Sequence, residues 1–96
     1  MKVKWSPLAL ERMSEIVDFI SQDNRVAARE WIEAALKRVE QLAQFPESGR
    51  HLPELPSRND LRELVYGNYR IIYRIGGDLA ILTVRHGRQL LREEEI

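Results

Sequence analysis

The chain has 96 residues, which suits one small domain with a single core, so we expect one domain over residues 1–96. It has no cysteine and two histidines, which excludes disulfide frameworks, thiolate nucleophiles and cysteine-based metal sites and predicts no metal or other cofactor. The formal net charge is zero, which argues against nucleic-acid binding through bulk positive charge. No apolar run is long enough to span a membrane, so we expect a cytoplasmic protein without a membrane partner.

The first half of the chain predicts a strand followed by two helices. Ser6 has the chemistry of an N-cap and Pro7 that of a first helical residue. Apolar residues at helical spacing follow, and either Asp23 or Asn24 caps a second run of the same kind, which ends before Pro46. The short turn between the helices predicts an antiparallel hairpin. The predicted elements are a strand over 2–5 and helices over about 6–21 and 24–45.

Two apolar residues of the first helix lie off its apolar stripe. Plotted on a helical wheel, Leu8 and Phe19 are about 130 degrees away from it. The ordinary interpretation is that they cover the second helix. The alternative is that they are exposed and available to a partner.

The second half of the chain changes to a period of two, which indicates strands. Gly67-Asn68 and Gly76-Gly77 predict tight turns between them. The predicted elements are a loop over 46–60, strands over about 61–66, 69–75 and 78–86, and a tail over 87–96. We therefore predict an α+β fold in which an antiparallel helical hairpin packs on a small, mainly antiparallel sheet that ends in a three-stranded meander.

The register of the meander follows if both turns contain two residues, which places Tyr66 opposite Tyr69 and Ile75 opposite Asp78. The side facing the helices then collects Leu64, Tyr66, Tyr69, Ile71, Tyr73, Ile75, Ala80, Leu82 and Val84. The opposite side, which we call the far face, collects Leu61, Glu63, Val65, Arg70, Ile72, Arg74, Leu79, Ile81, Thr83 and Arg85. A three-residue turn would reverse the last strand, sending Leu82 and Val84 out and Thr83 in.

The far face is a candidate binding surface. It carries Arg70, Arg74 and Arg85 among apolar residues, with only Glu63 as a counter-charge. From Gly49 to Arg92 the chain has eight arginines and no lysine, a choice that favours fork-like recognition of carboxylate or phosphate. Structural ion pairs, such as one between Arg70 and Glu63, are the alternative.

Several motifs together resemble the RelE/ParE superfamily of toxins from bacterial type II toxin-antitoxin systems. In chain order they are W-S-P-x-A-L, D-N-x-x-A-A, F-P-E-S-G-R, R-E-L-V-x-x-x-Y-R-I-I-Y-R and V-R-H-G-R. The last motif is similar to the ParE branch. The resemblance implies a cognate antitoxin protein that forms a complex with the toxin and whose C-terminal segment folds on the toxin surface.

For a ParE-like toxin the resemblance implies that the chain is not an enzyme and binds DNA gyrase, so that replication stalls. The far-face residues and the segment 85–92 then become the contacts. The residues predicted to bind the target or the antitoxin are Arg70, Arg74, Arg85, Arg88, Glu63, Leu8 and Phe19.

For a RelE-like toxin the resemblance implies metal-independent cleavage of messenger RNA on the ribosome. Glu54 would be the general base, Arg70 and Arg85 would bind the phosphate, and His86 would be the general acid. In the alternative, Glu54 is a loop carboxylate that pairs with the arginines and His86 is structural. The acid/base pair that such nucleases place after the basic position of the last strand is missing after Arg85, which favours the gyrase interpretation.

The acidic tail, Glu93 to Ile96, also allows two interpretations. We expect a solvated chain end. The alternative is an internal mimic that pairs with the arginines until a target displaces it.

Overall fold

The computed structural model describes residues 1–96 as two helices packed on one mixed, five-stranded sheet. In chain order the elements are β1 (Val3–Trp5), α1 (Pro7–Asp23), α2 (Arg25–Gln44), a 3-10 turn (Pro46–Ser48), β2 (Arg50–His51), β3 (Leu61–Tyr66), β4 (Tyr69–Ile75), β5 (Leu79–His86) and a second 3-10 turn (Glu93–Glu95). The strand order is β1-β5-β4-β3-β2, with β1 parallel to β5 and all other neighbours antiparallel. The predicted α+β class and its meander are confirmed. Neither helix combines the length and the apolar character needed to cross a membrane.

Both helices begin at side-chain caps. Ser6 Oγ accepts a hydrogen bond from the Ala9 amide at 3.0 Å, as the sequence predicts. The same hydroxyl donates to the Leu82 carbonyl at 2.6 Å, which fixes the start of α1 against β5. Of the two candidates for the second cap, the structure uses Asn24, whose Oδ1 accepts from the Ala27 amide at 3.0 Å.

The main core lies between the helices and one face of the sheet. Its buried members are Ala9, Met13, Ala35, Val39, Leu42, Leu64, Ile71, Tyr73, Leu79, Ile81 and Val84. Alanines on both helices allow the backbones to approach closely, while β4 and β5 supply the large side chains. Each large aliphatic side chain buried here contributes about 1.5–3 kcal/mol relative to an exposed one.

The turn before β5 differs from the prediction. Ile75 lies opposite Leu79, so the turn contains three residues and not two. Leu79 and Ile81 consequently face the helices, where both are fully buried, although the two-residue turn placed them on the far face. The physical reason is volume, because these two side chains fill space beneath the helices that the smaller Ala80 would leave empty.

A β-bulge at Leu82 reverses the effect of this turn for the rest of β5. Ile81 and Thr83 pair with consecutive residues of β4, so Leu82 between them is an extra residue. Leu82 therefore packs on the far face, contrary to the prediction, while Val84 faces the helices as predicted. The Leu82 carbonyl accepts the Ser6 hydroxyl hydrogen bond.

Two apolar residues of α1 are more exposed than the helical pattern indicates. Phe19 is 69% exposed, so the interpretation that it covers α2 is wrong, whereas Leu8 is half-buried. Leu10, which falls on the apolar stripe, is 56% exposed. Phe19 points away from the stripe that contacts the sheet, and Leu10 borders an open groove between the helices.

Gly49 is the position in the fold that tolerates a side chain least. A Cβ atom there would lie 2.2 Å from the Tyr73 hydroxyl oxygen and 2.7 Å from the Glu63 carbonyl oxygen. We expect Gly49→Ala to lower the free energy of unfolding by about 2–4 kcal/mol, measured by urea denaturation. Gly77→Ala is the matched control, because no atom lies within 4 Å of its Cβ position. Equal denaturation midpoints for the two variants would contradict this close approach.

Candidate functional site

The far face of the sheet is covered by two irregular segments, residues 52–55 and the C-terminal residues. Together they form a second, smaller core with the sheet. Its members are Leu52, Leu61, Ile72 and Leu82, with Leu55, Ala80, Leu91 and Ile96 packed against them. Arg70 and Glu63 lie beneath this cover, 5% and 1% exposed. The expectation that these two residues form an open binding surface is therefore corrected.

The buried charges form a continuous chain of ion pairs. Arg70 donates from both terminal nitrogens to Glu54, Nη2 to Oε1 at 2.7 Å and Nη1 to Oε2 at 2.8 Å. Its Nε donates to Glu63. Glu63 accepts a further hydrogen bond from Arg50 Nε at 2.7 Å. The sequence left two alternatives open: an ion pair between Arg70 and Glu63, and a role for Glu54 as a partner of the arginines. The structure contains both.

The pKa values follow from this geometry. The hydrogen bonds from Arg70 are the main reason that the pKa of Glu54 falls from its ordinary value of 4.5 to about 2; burial opposes the change and the Leu91 amide assists it. The hydrogen bonds to Glu54 likewise raise the pKa of Arg70, against the effect of burial. At neutral pH Glu54 is therefore an ionised carboxylate, and both of its oxygens are already in use.

The same ion pair holds the C-terminal segment in place. The Leu91 amide donates to Glu54 Oε2 at 3.1 Å, and Arg70 Nη1 donates to the Gln89 carbonyl at 3.2 Å. A third contact runs from Arg85 Nη2 to the Leu90 carbonyl at 3.0 Å. Arg70 and Glu54 thus position a stretch of backbone that has no regular secondary structure of its own.

A second carboxylate from the tail is buried against the far face. Glu95, 8% exposed, accepts a hydrogen bond from Thr83 Oγ1 at 3.1 Å. Its oxygens lie 3.5 Å from Arg85 Nε and 3.8 Å from Arg12 Nη2. The expectation of a solvated chain end is wrong for Glu95, because Arg70 and Arg85 lie directly opposite each other on β4 and β5 and each is balanced by carboxylates.

The remaining predicted site residues are exposed and dispersed. Arg74 lies four residues along β4 from Arg70, which is about 13 Å of strand. Arg88 lies beyond the end of β5 at the other end of the sheet. His86 is exposed, with its ring edge against Tyr69 at a centroid distance of 5.8 Å. The predicted contacts therefore form no single cluster.

An open pocket of about 350 Å³ lies where these elements meet, beside the ion-pair chain. Its lining residues are Arg50, Pro53, Glu54, Arg70, Gly87, Arg88, Gln89 and Leu90. Only one of them is hydrophobic, so the pocket suits polar or charged groups. It collects the exposed Arg50 and Arg88 and the buried Arg70 in one place.

Sequence reasoning missed Arg12 and Arg50 as members of the charged clusters. Arg12 lies on α1 and falls in no motif, whereas Arg50 ends the F-P-E-S-G-R motif and lies on a two-residue strand inside the predicted loop. For Arg50 the available signal was the excess of arginine over acid between residues 49 and 92, because a buried carboxylate in that stretch requires arginine partners; no such signal points to Arg12.

The geometry is unsuited to a nuclease centre. A general base works best with a pKa near the working pH and a free lone pair directed at the substrate. Glu54 has a pKa of about 2 and gives both oxygens to hydrogen bonds, and Arg70 has no free terminal nitrogen facing solvent. The arrangement fixes the position of the C-terminal segment on the sheet.

Comparison with known proteins agrees with this fold. The model of the family described as "ParE toxin of type II toxin-antitoxin system, parDE" matches residues 3–91. The chain therefore belongs to the ParE family of type II toxins, which confirms the resemblance noted in the sequence.

Two relatives illustrate the extent of the similarity. A Sinorhizobium fredii (strain NBRC 101917 / NGR234) protein named as a candidate toxin, Y4kP, is 38% identical over 91 residues, covering 92% of this chain and 90% of the relative. A chain in the solved structure of the chromosomal ParDE TA system from P. aeruginosa has the same fold, with a TM-score of 0.72 and 20% identity. That match covers 90% of this chain and 95% of the other.

The lowered pKa of Glu54 predicts how stability depends on pH. A carboxylate whose folded pKa lies below its unfolded value stabilises the fold at higher pH, and loses this contribution as pH falls through 4.5 toward about 2. We expect Glu54→Gln to cost on the order of 2 kcal/mol at neutral pH and progressively less below about pH 4. Urea denaturation at several pH values measures this difference.

Glu33→Gln is the matched control, because Glu33 is exposed on α2 and makes no ion pair within 4.0 Å. It should change stability by less than about 0.5 kcal/mol throughout. A Glu54→Gln difference that stays constant from neutral pH to about pH 3 would show that the ion pair carries no such linkage.

Proposed function

We propose that this chain is a toxin that acts by binding DNA gyrase and that a cognate antitoxin neutralises it by forming a complex with it. The observation that carries the proposal is membership of the ParE family over residues 3–91. The resemblance to that branch implies gyrase as the target, with stalled replication and accumulating DNA breaks as the result.

The site geometry supports action by binding. The acid and the arginine that a nuclease would use are committed to each other, so no covalent chemistry is assigned to the chain. Next to them the segment 86–90 is held by backbone contacts and by the His86 and Gln89 side chains, which leaves the side chains of Arg88 and Leu90 exposed. Arg88 is exposed, and Leu90, at 78%, is the most exposed of the large hydrophobic side chains. We assign target contact to this segment, with Arg74 as a further exposed cation.

A charge reversal in this segment tests the gyrase proposal. We expect Arg88→Glu to raise the concentration of purified toxin needed to inhibit gyrase supercoiling by about tenfold or more, because it replaces an attractive contact by a repulsive one. Arg29→Glu is the charge-matched control, exposed on α2 and away from the segment, and should leave inhibition unchanged.

Expression in a bacterium distinguishes gyrase from the alternative target, ribosome-bound messenger RNA. Gyrase poisoning predicts induction of the DNA damage response and altered supercoiling while transcripts remain intact. Rapid translation arrest with cleaved messenger RNA and unaltered supercoiling would refute gyrase as the target and support the RelE-like activity on ribosome-bound messenger RNA. Equal inhibition by both charge variants would exclude Arg88 from the gyrase contact.

The helical side of the molecule offers a separate surface for the antitoxin. A groove of about 240 Å³ is lined only by hydrophobic residues, which are Trp5, Leu10, Met13, Ile32 and Leu36. Leu10 and Leu36 are 56% and 42% exposed, so apolar area there is left uncovered by the chain itself. An amphipathic antitoxin segment that lays its apolar side in this groove would cover it. Phe19 and Leu8 lie on another side of the same helix, outside this groove, and stay a separate predicted contact.

A polar substitution in the groove tests the antitoxin contact. We expect Leu10→Asp to weaken antitoxin binding by at least about tenfold, measured by calorimetry, because it places a carboxylate against an apolar partner. The fold should persist, since Leu10 is mainly solvent-exposed already. Val26→Asp, at a 65% exposed position at the start of α2, is the control. Unchanged affinity in both variants would exclude the groove as the antitoxin site.

A further inference from the structure

The tail, residues 91–96, occupies a cleft on the far face that combines an apolar floor with a cationic side. Leu91 and Ile96 pack against the small core that includes Leu82. Between them the Glu95 carboxylate enters a site formed by Thr83, Arg85 and Arg12. We call this the tail cleft. What fills it is a short stretch with a glutamate followed directly by an aliphatic residue.

The tail fills this cleft imperfectly. Glu95 lies 3.5 Å from Arg85 Nε and 3.8 Å from Arg12 Nη2, which are ion-pair distances and longer than charge-assisted hydrogen bonds. The Nε atoms of both arginines are buried and have no hydrogen-bond partner. Unpartnered buried donors cost free energy, so a ligand with a better-placed carboxylate, or with a second one, would be held more tightly than the tail.

The contacts that the tail itself brings to the cleft are also few. It contributes one buried carboxylate and two aliphatic side chains, with a single 3-10 turn as its only regular structure. Its advantage is the tether, which gives an intramolecular segment an effective concentration in the millimolar range for a short flexible link. A partner that makes further contacts outside the cleft can therefore displace it.

From this geometry we infer that the tail cleft is a binding site for an acidic peptide segment of a partner protein, one that carries a glutamate or aspartate next to an aliphatic residue. The chain's own tail is the intramolecular competitor for that site. Displacement would free Arg12, Arg85 and Thr83 together, and would loosen the adjoining Leu90 backbone that Arg85 holds. The site itself does not depend on the identity of the toxin's target; only an effect on target binding rests on the proposed function.

A peptide added in trans tests the site. We would titrate a fluorescent peptide with the sequence of residues 91–96, Leu-Arg-Glu-Glu-Glu-Ile, with the full chain and follow its anisotropy. Glu95→Gln weakens the internal competitor, so this variant should bind the peptide about tenfold more tightly than the unmodified chain. Glu94→Gln, at an exposed neighbouring position, is the matched control and should bind as the unmodified chain does.

The peptide supplies the second half of the test. With glutamine in place of its third glutamate, it should bind the Glu95→Gln chain about tenfold more weakly, because the carboxylate that faces the arginines is gone. Adding Arg12→Gln to the Glu95→Gln chain should weaken binding of the unmodified peptide for the same reason. These two results together assign the affinity to the cationic side of the cleft.

Two outcomes would overturn the inference: equal peptide affinity for the unmodified chain and the Glu95→Gln chain, or no discrimination between the two peptides. If Glu95→Gln fails to fold, as judged by circular dichroism, Ile96→Asp replaces it. That variant removes the apolar anchor at the chain end and should raise peptide affinity in the same way, and failure to do so would equally overturn the inference. The assay contains neither gyrase nor antitoxin, so its failure leaves the proposed function intact.

Discussion

The rest of the structure depends on one buried carboxylate, that of Glu63, and on the arginine that neutralises it. An unpaired charge at this depth would be prohibitively costly, so Arg70 is held on the far face of a central strand where an apolar residue would otherwise be expected. Arg70 in turn requires a second carboxylate, which Glu54 supplies from a segment without regular structure. The ion pairs thereby specify where two irregular segments lie, which is a different role from adding net stability.

This constraint changes how the arginines relate to function. Arg70, the residue most prominent in the sequence pattern, positions the backbone of its neighbours. The surface formed there belongs to those neighbours, with Arg88 and Leu90 among its exposed members. A toxin that acts by binding needs such a presented surface more than it needs free acids and bases. The proposal that the toxin acts by binding rests on membership of the ParE family, and the pKa of Glu54, about 2, supports it.

In β5 the alternation of apolar and polar residues predicts the face of some side chains correctly and of others wrongly. The three-residue turn shifts the strand by one position, and the bulge at Leu82 shifts it by one more. Because side chains alternate with a period of two, the two shifts cancel beyond the bulge, and Thr83 and Val84 lie on the faces that the sequence predicts. Only residues 79–82 were assigned to the wrong face, because neither turn length nor bulge position is encoded in the alternation itself.

The sequence by itself determined the features that arise from neighbouring residues: the cap at Ser6, the helical hairpin, the Gly67-Asn68 turn and the family motifs. These depend on local backbone chemistry and periodicity, which one chain displays directly. Only the tertiary structure decided which charges meet. Glu54 and the Leu91 amide are 37 residues apart, and Glu95 approaches Arg12 from the opposite end of the chain. Such contacts depend on burial and on the path of irregular segments, so no repeat or spacing in the sequence records them.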